Sequence, residues 1–315
     1  MGKNLFLFNT FNNGNPEYTI YDASSNNYHS ILVKGFSINF LKYNALLNKF
    51  VLCIENYNTD IIFIYYDNIE DINEITSSTL NVEHLVLNDE TFIYYNRIMN
   101  KNSYSDDSKI LIYLHGGPNS TDLNLYNPLI SEFLSLNYTV YSLNYYGSTL
   151  FGESYMEKIQ GDWFNSEVEQ VISFIEQLIV DQKKKVVLVG ESYGSILSVF
   201  VGNRLFNKID SIVAISPILN LSRLLTFKKT YFENISKDKV KKYNNCLVHL
   251  LNSYNGNLLF IYGEKDKFIT SSDVQIFLKR FSQDNNEKLH LKVNKTSGHY
   301  FYSEDDMEYI KNIVN

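Results

Sequence analysis

The sequence is poor in the features that mark several other classes of protein. Its 315 residues include 4 prolines, so no proline-rich linker is evident. Cys53 and Cys246 lie far apart and form no C-x-x-C pair, which argues against a disulfide framework and against a zinc site. No apolar run is long enough to cross a bilayer, and the apolar patch near the N-terminus is too short for a secretory signal. We therefore expect a soluble, cytoplasmic protein without a membrane partner.

Positive charge is also scarce. The formal net charge is −7, whereas a broad nucleic-acid surface needs clustered lysine and arginine. The sequence has no phosphate-binding loop, no nucleotide fingerprint and no cluster of metal-ligating residues. We expect no nucleic-acid partner, no cofactor and no metal site. With 44% apolar and 20% charged residues, the composition is that of a globular protein.

Residues 1–80 have the pattern of consecutive short strands. Turn-forming stretches, such as SSNN at 24–27, separate the candidate strands, and no segment has convincing helical periodicity. The candidate strands lie at 17–23, 29–33, 36–41, 49–56 and 60–67. We predict a small antiparallel β region over residues 1–80, followed by a larger domain over residues 81–315.

After residue 80, apolar strands alternate with amphipathic helices. The predicted strands lie at 109–114, 139–145, 185–190, 211–216, 257–263 and 288–293. The predicted helices lie at 127–137, 165–182, 193–206, 271–284 and 304–314. This alternation is typical of a doubly wound, mainly parallel sheet that helices cover on both faces. The predicted fold class is therefore α/β.

The stretch GESYG at 190–194 joins a buried strand to the helix that follows it. A serine hydroxyl is a poor nucleophile until a base removes its proton and the chain presents it to a substrate. A sharp strand-to-helix turn would present Ser192, but it strains the serine backbone and leaves no room for side chains at Gly190 and Gly194. The pattern predicts a nucleophile at Ser192. The alternative is a serine that only caps the helix.

An acidic residue and a histidine follow this serine at the ends of later strands. Asp266 comes after the fifth predicted strand of the domain, and His299 comes after the sixth. Upstream, HGGP at 115–118 follows the first strand, where bare glycine backbone can direct an N–H group at an oxyanion. Serine, acid and histidine follow one another in this order in the α/β-hydrolase fold. We therefore predict a triad of Ser192, Asp266 and His299.

Several motifs occur together in register. Over about residues 84–315, the chain resembles the catalytic domain of the prolyl oligopeptidase family of serine peptidases, in particular its acylaminoacyl-peptidase-like branch. The matching stretches are HGGP at 115–118, NYYGSTLFGE at 144–153, GDW at 161–163, GESYG at 190–194, GEKD at 263–266 and GHYF at 298–301. That family carries an N-terminal β-propeller. Residues 1–80 are too few for its blades, so we expect a much shortened region, propeller-like or lid-like.

The resemblance implies a role for each matched residue. Ser192 would be the nucleophile, His299 the general base and then the general acid, and Asp266 the group that orients the histidine. The backbone N–H groups of Gly117 and Tyr193 would form the oxyanion hole.

Three further residues are candidate substrate contacts: Tyr146, Glu191 and Tyr300. Tyr146 stands where the family usually has arginine, and core packing is the alternative role for these tyrosines. Glu191 precedes the predicted nucleophile and could instead bond across the sheet edge. Glu264 and Asp273 are rival acids to Asp266, less well placed by the motif.

These features predict a serine hydrolase that works through an acyl-enzyme. By resemblance, its substrate would be a short peptide or an acylated amino compound. An esterase, thioesterase or acyltransferase acting on a small ester is the alternative, because peptide and ester cleavage share the steps up to the leaving group. A non-catalytic binding protein of the same fold is a further alternative. The sequence leaves the oligomeric state open, a homo-oligomer included.

Overall fold

The computed structural model describes residues 4–12, 15–87, 92–101, 108–179, 184–222, 235–270, 272–275, 288–299 and 303–314. The chain divides into two compact units. The first unit comprises Met1–Val86, Tyr94–Asp106 and Asp122–Val140, and the second comprises Leu87–Ile93, Asp107–Thr121 and Tyr141–Asn315. The sequence-based boundary near residue 80 stays a prediction.

The first unit contains two small sheets. One has the strand order β1-β2-β3-β7, and the other has the order β4-β5-β6. The strands are β1 (Leu5–Asn12), β2 (Asn15–Asp22), β3 (Asn27–Lys34), β4 (Ser37–Asn44), β5 (Lys49–Asn56), β6 (Thr59–Tyr66) and β7 (Glu74–Thr76). From Ile61 to Tyr66, side chains of β6 alternate between exposed and half-buried positions, as expected for a sheet with one solvated face. Phe50, Leu52 and Ile54 of β5 lie in the core of this unit.

The first unit also contains two neighbouring strands and a helix. The strands are β8 (Leu80–Leu87) and β9 (Ile93–Asn100). Helix α1 (Pro128–Ser135) begins after Asn127, whose side chain accepts hydrogen bonds from the N–H groups of Leu129 and Ile130 at 3.0 and 3.2 Å. Asn127 therefore acts as a side-chain cap for the helix.

The sheet of the second unit has the strand order β15-β14-β13-β12-β10-β11. These strands are β10 (Lys109–Leu114), β11 (Thr139–Asn144), β12 (Lys185–Glu191), β13 (Ser211–Ile215), β14 (Asn257–Gly263) and β15 (Leu289–Asn294). The pairs β10–β12, β12–β13, β13–β14 and β14–β15 are all parallel. Residues 186–191 of β12 are buried without alternation, which is typical of a strand covered on both faces. The predicted α/β class with a mainly parallel sheet is confirmed.

The helices of the second unit follow its strands. They are α2 (Glu153–Met156), α3 (Ser166–Leu178), α4 (Tyr193–Arg204), α5 (Lys237–Ser253) and α6 (Glu304–Val314). Helices α3, α4 and α6 match three of the sequence predictions, whereas α2 and α5 were not predicted. Of the helix predicted at 271–284, residues 272–275 are helical and the others lie outside the described residues. Among the described residues, no helix is both long and apolar enough to span a membrane.

Candidate active site

A sharp turn lies between β12 and α4. Strand β12 ends at Glu191 and helix α4 begins at Tyr193, which leaves Ser192 alone at the junction with φ 48° and ψ −108°. A Cβ atom on Gly190 would lie 2.2 Å from the carbonyl oxygen of Gly194, and one on Gly194 would lie 2.1 Å from the carbonyl oxygen of Leu114. Glycine is therefore required at both positions, because neighbouring backbone atoms leave no space for a Cβ atom.

Hydrogen bonds hold the strained serine in place. The Ser192 N–H donates to the Ile215 carbonyl at 2.9 Å, which ties the turn to the end of β13. The Ser195 hydroxyl donates to the Ser192 carbonyl at 2.5 Å and accepts from the Ile218 N–H at 3.2 Å. Ser195 thus links the turn to the segment after β13.

The Ser192 hydroxyl is part of a chain of three side chains. His299 Nε2 lies 3.0 Å from Ser192 Oγ, and His299 Nδ1 lies 2.6 Å from Asp266 Oδ2. Asp266 Oδ1 accepts hydrogen bonds from the backbone N–H groups of Phe268 and Ile269 at 2.7 and 3.3 Å. The carboxylate is therefore fixed on both oxygens, and its side chain is fully buried. The three residues follow the carboxyl ends of β12, β14 and β15.

The rival acids have other contacts. Asp273 Oδ2 accepts from the Thr270 hydroxyl at 2.6 Å and from the Thr270 N–H at 3.1 Å, while its Oδ1 accepts from Asn220. Glu264 is exposed. Among these three acids, Asp266 is the one hydrogen-bonded to His299 in the described residues.

The HGGP segment lies beside the turn. Leu114 of β10 pairs with Gly190 of β12. Gly117 and Tyr193 each lie three residues beyond this pair, so both follow the same end of the two paired strands. The close approach of Gly194 to the Leu114 carbonyl brings the start of α4 against this segment. Gly117 has φ +132°, a conformation that a side chain would strain.

His115 lies inside this region rather than on the surface. Its Nε2 is 2.9 Å from the Ser148 hydroxyl, and its ring stacks on Tyr145 with 4.5 Å between centroids. Burial lowers the pKa of His115 to about 4, so the imidazole is neutral at pH 7. His115 therefore joins the HGGP segment to the NYYGS segment at 144–148.

The remaining sequence-predicted residues lie in different surroundings. Tyr146 is half-buried, its ring lies 4.9 Å from that of Tyr155, and burial raises its pKa. Glu191 is buried at the end of β12, with 7% of its surface exposed. Tyr300 lies outside the described residues. Phe268, which the sequence did not single out, places its ring 5.0 Å from the His299 ring.

Two polar residues of α3 were missed by the sequence analysis. Glu167 and Gln170 are both fully buried. Glu167 Oε1 accepts from the Tyr193 hydroxyl at 2.6 Å, and Gln170 Oε1 accepts from the Tyr146 N–H at 2.7 Å. Their spacing of three residues within an apolar helix face is the signal that could have revealed them.

Within the described residues, no group of three or more His, Cys, Asp or Glu side chains is arranged to hold a metal ion.

Solved structures share this fold. An acylaminoacyl peptidase from Pyrococcus horikoshii superposes with a TM-score of 0.72 at 13% identity, covering 98% of this chain and 53% of that one. A puromycin-hydrolyzing peptidase from Mycobacterium tuberculosis gives a TM-score of 0.72 at 13% identity, covering 97% and 50%. This chain is thus similar in fold to these proteins and spans about half of their length.

Curated relatives match a shorter part of the chain. Acylamino-acid-releasing enzyme 2 from Oryza sativa subsp. japonica is 24% identical over 124 residues, which is 38% of this chain and 16% of that protein. The acylamino-acid-releasing enzyme of Rattus norvegicus is 24% identical over 119 residues, covering 37% and 16%. The matched segments are therefore a minor part of these longer relatives.

A family model extends the match. Residues 126–313, more than half of the chain, match the model of the prolyl oligopeptidase family. This range includes the turn at Ser192 and the segments that carry Asp266 and His299. The chain belongs to the prolyl oligopeptidase family.

Proposed function

We propose that this chain is a serine peptidase that cleaves short peptides or acylated amino compounds through an acyl-enzyme. The observation that carries the proposal is the unbroken hydrogen-bond chain from Ser192 Oγ through His299 to Asp266. Each link has a length within the range expected between a nucleophile, its base and the group that orients the base.

In the proposed first step, Ser192 Oγ attacks the substrate carbonyl carbon while His299 Nε2 takes the hydroxyl proton. Asp266 accepts the Nδ1–H hydrogen bond, which fixes the ring tautomer and stabilises the imidazolium. The backbone N–H groups of Gly117 and Tyr193 would donate to the oxyanion. In a site that excludes water, such donors stabilise the charge that develops in the transition state.

In the proposed second step, His299 returns its proton to the leaving amine, and the carbon–nitrogen bond breaks. Water then enters, gives a proton to His299 and attacks the acyl carbon. The bond between that carbon and Ser192 Oγ breaks, His299 returns the proton to Ser192 Oγ, and the acid is released. Two moderate barriers thereby replace one high barrier.

The substrate class is inferred from relatives. Similar proteins are described as acylamino-acid-releasing enzymes and as a puromycin-hydrolyzing peptidase, which supports an amide-type substrate. The hydrogen-bond chain by itself serves ester cleavage equally well, because only the leaving group differs.

A fluorophosphonate probe tests the proposed nucleophile. We expect the wild type to be labelled and Ser192→Ala to lose all labelling while remaining folded. Ser198→Ala is the matched control, because Ser198 lies on the same helix and its hydroxyl donates to the Ser195 carbonyl at 2.8 Å. A folded wild type that takes no label would contradict the proposal.

Paired substrates test the peptidase assignment. Turnover of an N-acyl-aminoacyl p-nitroanilide is compared with turnover of the corresponding p-nitrophenyl ester. We expect both to be cleaved, and both to be lost in Ser192→Ala. Ester turnover without detectable anilide cleavage would replace the peptidase assignment with an esterase assignment.

A further inference from the structure

A buried carboxyl group lies against the side chain of Tyr193. Glu167 belongs to the first turn of α3 and has no solvent exposure. Its Oε1 accepts two hydrogen bonds, from the Tyr193 hydroxyl at 2.6 Å and from the Phe164 N–H at 2.7 Å. Its Oε2 is buried without a hydrogen-bond partner in the described part of the chain.

Keeping this carboxyl group buried is costly. Burial raises the pKa of Glu167, although hydrogen bonds from Tyr193 and from nearby backbone N–H groups act in the opposite direction. A buried carboxyl group with one unpartnered oxygen destabilises a fold, so its presence here calls for a role other than packing. Packing alone would be better served by an apolar residue of the same size.

Glu167 and the residue that it holds, Phe164, both contact the side chain of Tyr193. Phe164, which Glu167 holds at φ +62°, stacks its ring on that of Tyr193 with 5.6 Å between centroids. Trp163 contacts the same ring edge-on at 6.2 Å, and Tyr145 stacks at 6.3 Å. The phenol of Tyr193 is therefore fixed at its oxygen by Glu167 and along its ring by three aromatic side chains.

Tyr193 is the first residue of α4 and directly follows Ser192. Because the side chain is fixed from the phenol oxygen to the ring, its Cα and backbone N–H have little freedom. An oxyanion donor is effective only when it is held in place before the charge develops. Small displacements of such groups lower the rate strongly.

We propose that Glu167 is a positioning residue that fixes the Tyr193 N–H for the oxyanion by holding the Tyr193 phenol. This inference rests on the proposed function, since it assigns the Tyr193 N–H to the oxyanion hole. Glu167 itself touches no reacting atom. The carboxyl group would act through the hydroxyl and ring of Tyr193.

The test compares Glu167→Ala, Glu167→Gln, Tyr193→Phe and the Glu167→Ala/Tyr193→Phe double variant, with p-nitrophenyl acetate as the probe substrate. Tyr193→Phe deletes only the phenol oxygen, so it tests the contact even if Glu167→Ala folds poorly. Tyr254→Phe is the matched control, because it deletes a buried tyrosine hydroxyl that bonds the Ile209 carbonyl, before β13, at 2.9 Å.

We expect Glu167→Ala and Tyr193→Phe each to lower kcat by about tenfold or more, with KM within about twofold, because the oxyanion donor acts in the transition state. Glu167→Gln retains an oxygen acceptor and should recover most of the lost kcat. The double variant should fall little further than the single variants, because both remove the same contact. The pH midpoint of kcat should not move, and Tyr254→Phe should match the wild type.

Two results would overturn the inference. One is a kcat for Tyr193→Phe within about twofold of the wild type. The other is a pair of single effects that multiply in the double variant, which would mean that the two groups act independently. A wild type that neither turns over the ester nor takes a fluorophosphonate label refutes the proposed function, and this inference with it.

Discussion

Residues with left-handed backbone conformation differ between the two units. Among the described residues, the non-glycine residues with positive φ are Asn26, Asn48, Asn124 and Asn137 in the first unit and Leu150, Phe164, Ser192 and Ser216 in the second. Asparagine tolerates this region because its short polar side chain can bond its own backbone. Leucine, phenylalanine and serine do so less readily, so their conformation needs support from elsewhere in the fold.

That support is visible in the second unit. The N–H groups of Ser192 and Ser216 donate to the carbonyls of Ile215 and Ile261 at 2.9 and 2.8 Å, and the Phe164 N–H donates to Glu167. In the first unit these positions are occupied by asparagine. In the second unit, long-range hydrogen bonds hold Ser192 and Ser216, and a hydrogen bond to a residue three positions away holds Phe164. Strain held by tertiary contacts is the kind that gathers at functional sites.

Among the tests of this difference between the two units, Gly194→Ala should have the largest effect. The new Cβ would lie 2.1 Å from the Leu114 carbonyl oxygen, and neither backbone can yield without moving the turn. We expect the free energy of unfolding to fall by about 4 kcal/mol, or the chain to fail to fold. Urea denaturation measures the change.

The matched substitution in the first unit is Gly35→Ala. Gly35 has φ +72°, and the nearest atom to a new Cβ is the side-chain Cβ of Ser77 at 2.9 Å. This overlap is smaller than the 2.1 Å approach at Gly194, so we expect a smaller cost of about 1 to 2 kcal/mol from the close contact and the positive φ together. Equal costs at the two glycines would remove the proposed difference between the units.

Acid titration of His115 is the next test. Its pKa falls from 6.5 in the unfolded chain to about 4 in the folded one, so between these pH values the unfolded state binds the proton and the folded state does not. Stability should therefore fall as the pH falls from 6.5 to 4, by about 3 kcal/mol from this group. The His115→Gln variant should lose less stability than the wild type over that range. A variant that loses as much stability as the wild type would contradict the lowered pKa of His115.

The sequence predicted those parts of the fold in which local pattern and tertiary structure agree. The apolar strands at 185–190 and 257–263 match β12 and β14, because a strand buried on both faces needs an unbroken apolar run. The order of Ser192, Asp266 and His299 likewise predicted that they would lie at one edge of the sheet. In the structure they are hydrogen-bonded to one another.

The sequence was less informative where a polar residue takes its role from a distant partner. Glu167 resembles an ordinary acid in a first helical turn, where the helix dipole favours it. Its burial follows from Tyr193, which is 26 residues away in the chain. Helix α5 was missed because its first turns, KDKVKK, have the composition of a solvated surface segment.

Relief of strain at Ser192 is the third test. Glycine accepts φ 48° and ψ −108° more readily than serine does, so Ser192→Gly should raise the free energy of unfolding by about 1 kcal/mol while abolishing fluorophosphonate labelling. Asn48→Gly, at φ 53° in the first unit, should change stability by less than about 0.5 kcal/mol. A Ser192→Gly protein less stable than the wild type would show that the serine conformation is not strained.

The smallest expected effect concerns the charge of Glu167. Burial raises the pKa of this carboxyl group, so above the unfolded pKa the folded state holds a proton that the unfolded state has released. Stability from this group is present at low pH and is lost as the pH rises through the folded pKa. Relative to Glu167→Gln, which does not titrate, the wild type should therefore become less stable as the pH rises above the unfolded pKa of glutamate, measured by urea denaturation at each pH. A difference that is flat or opposite in sign would mean that the carboxyl group is held in its charged form by hydrogen bonds from Tyr193 and Phe164, and that the second unit stabilises the charge at this position.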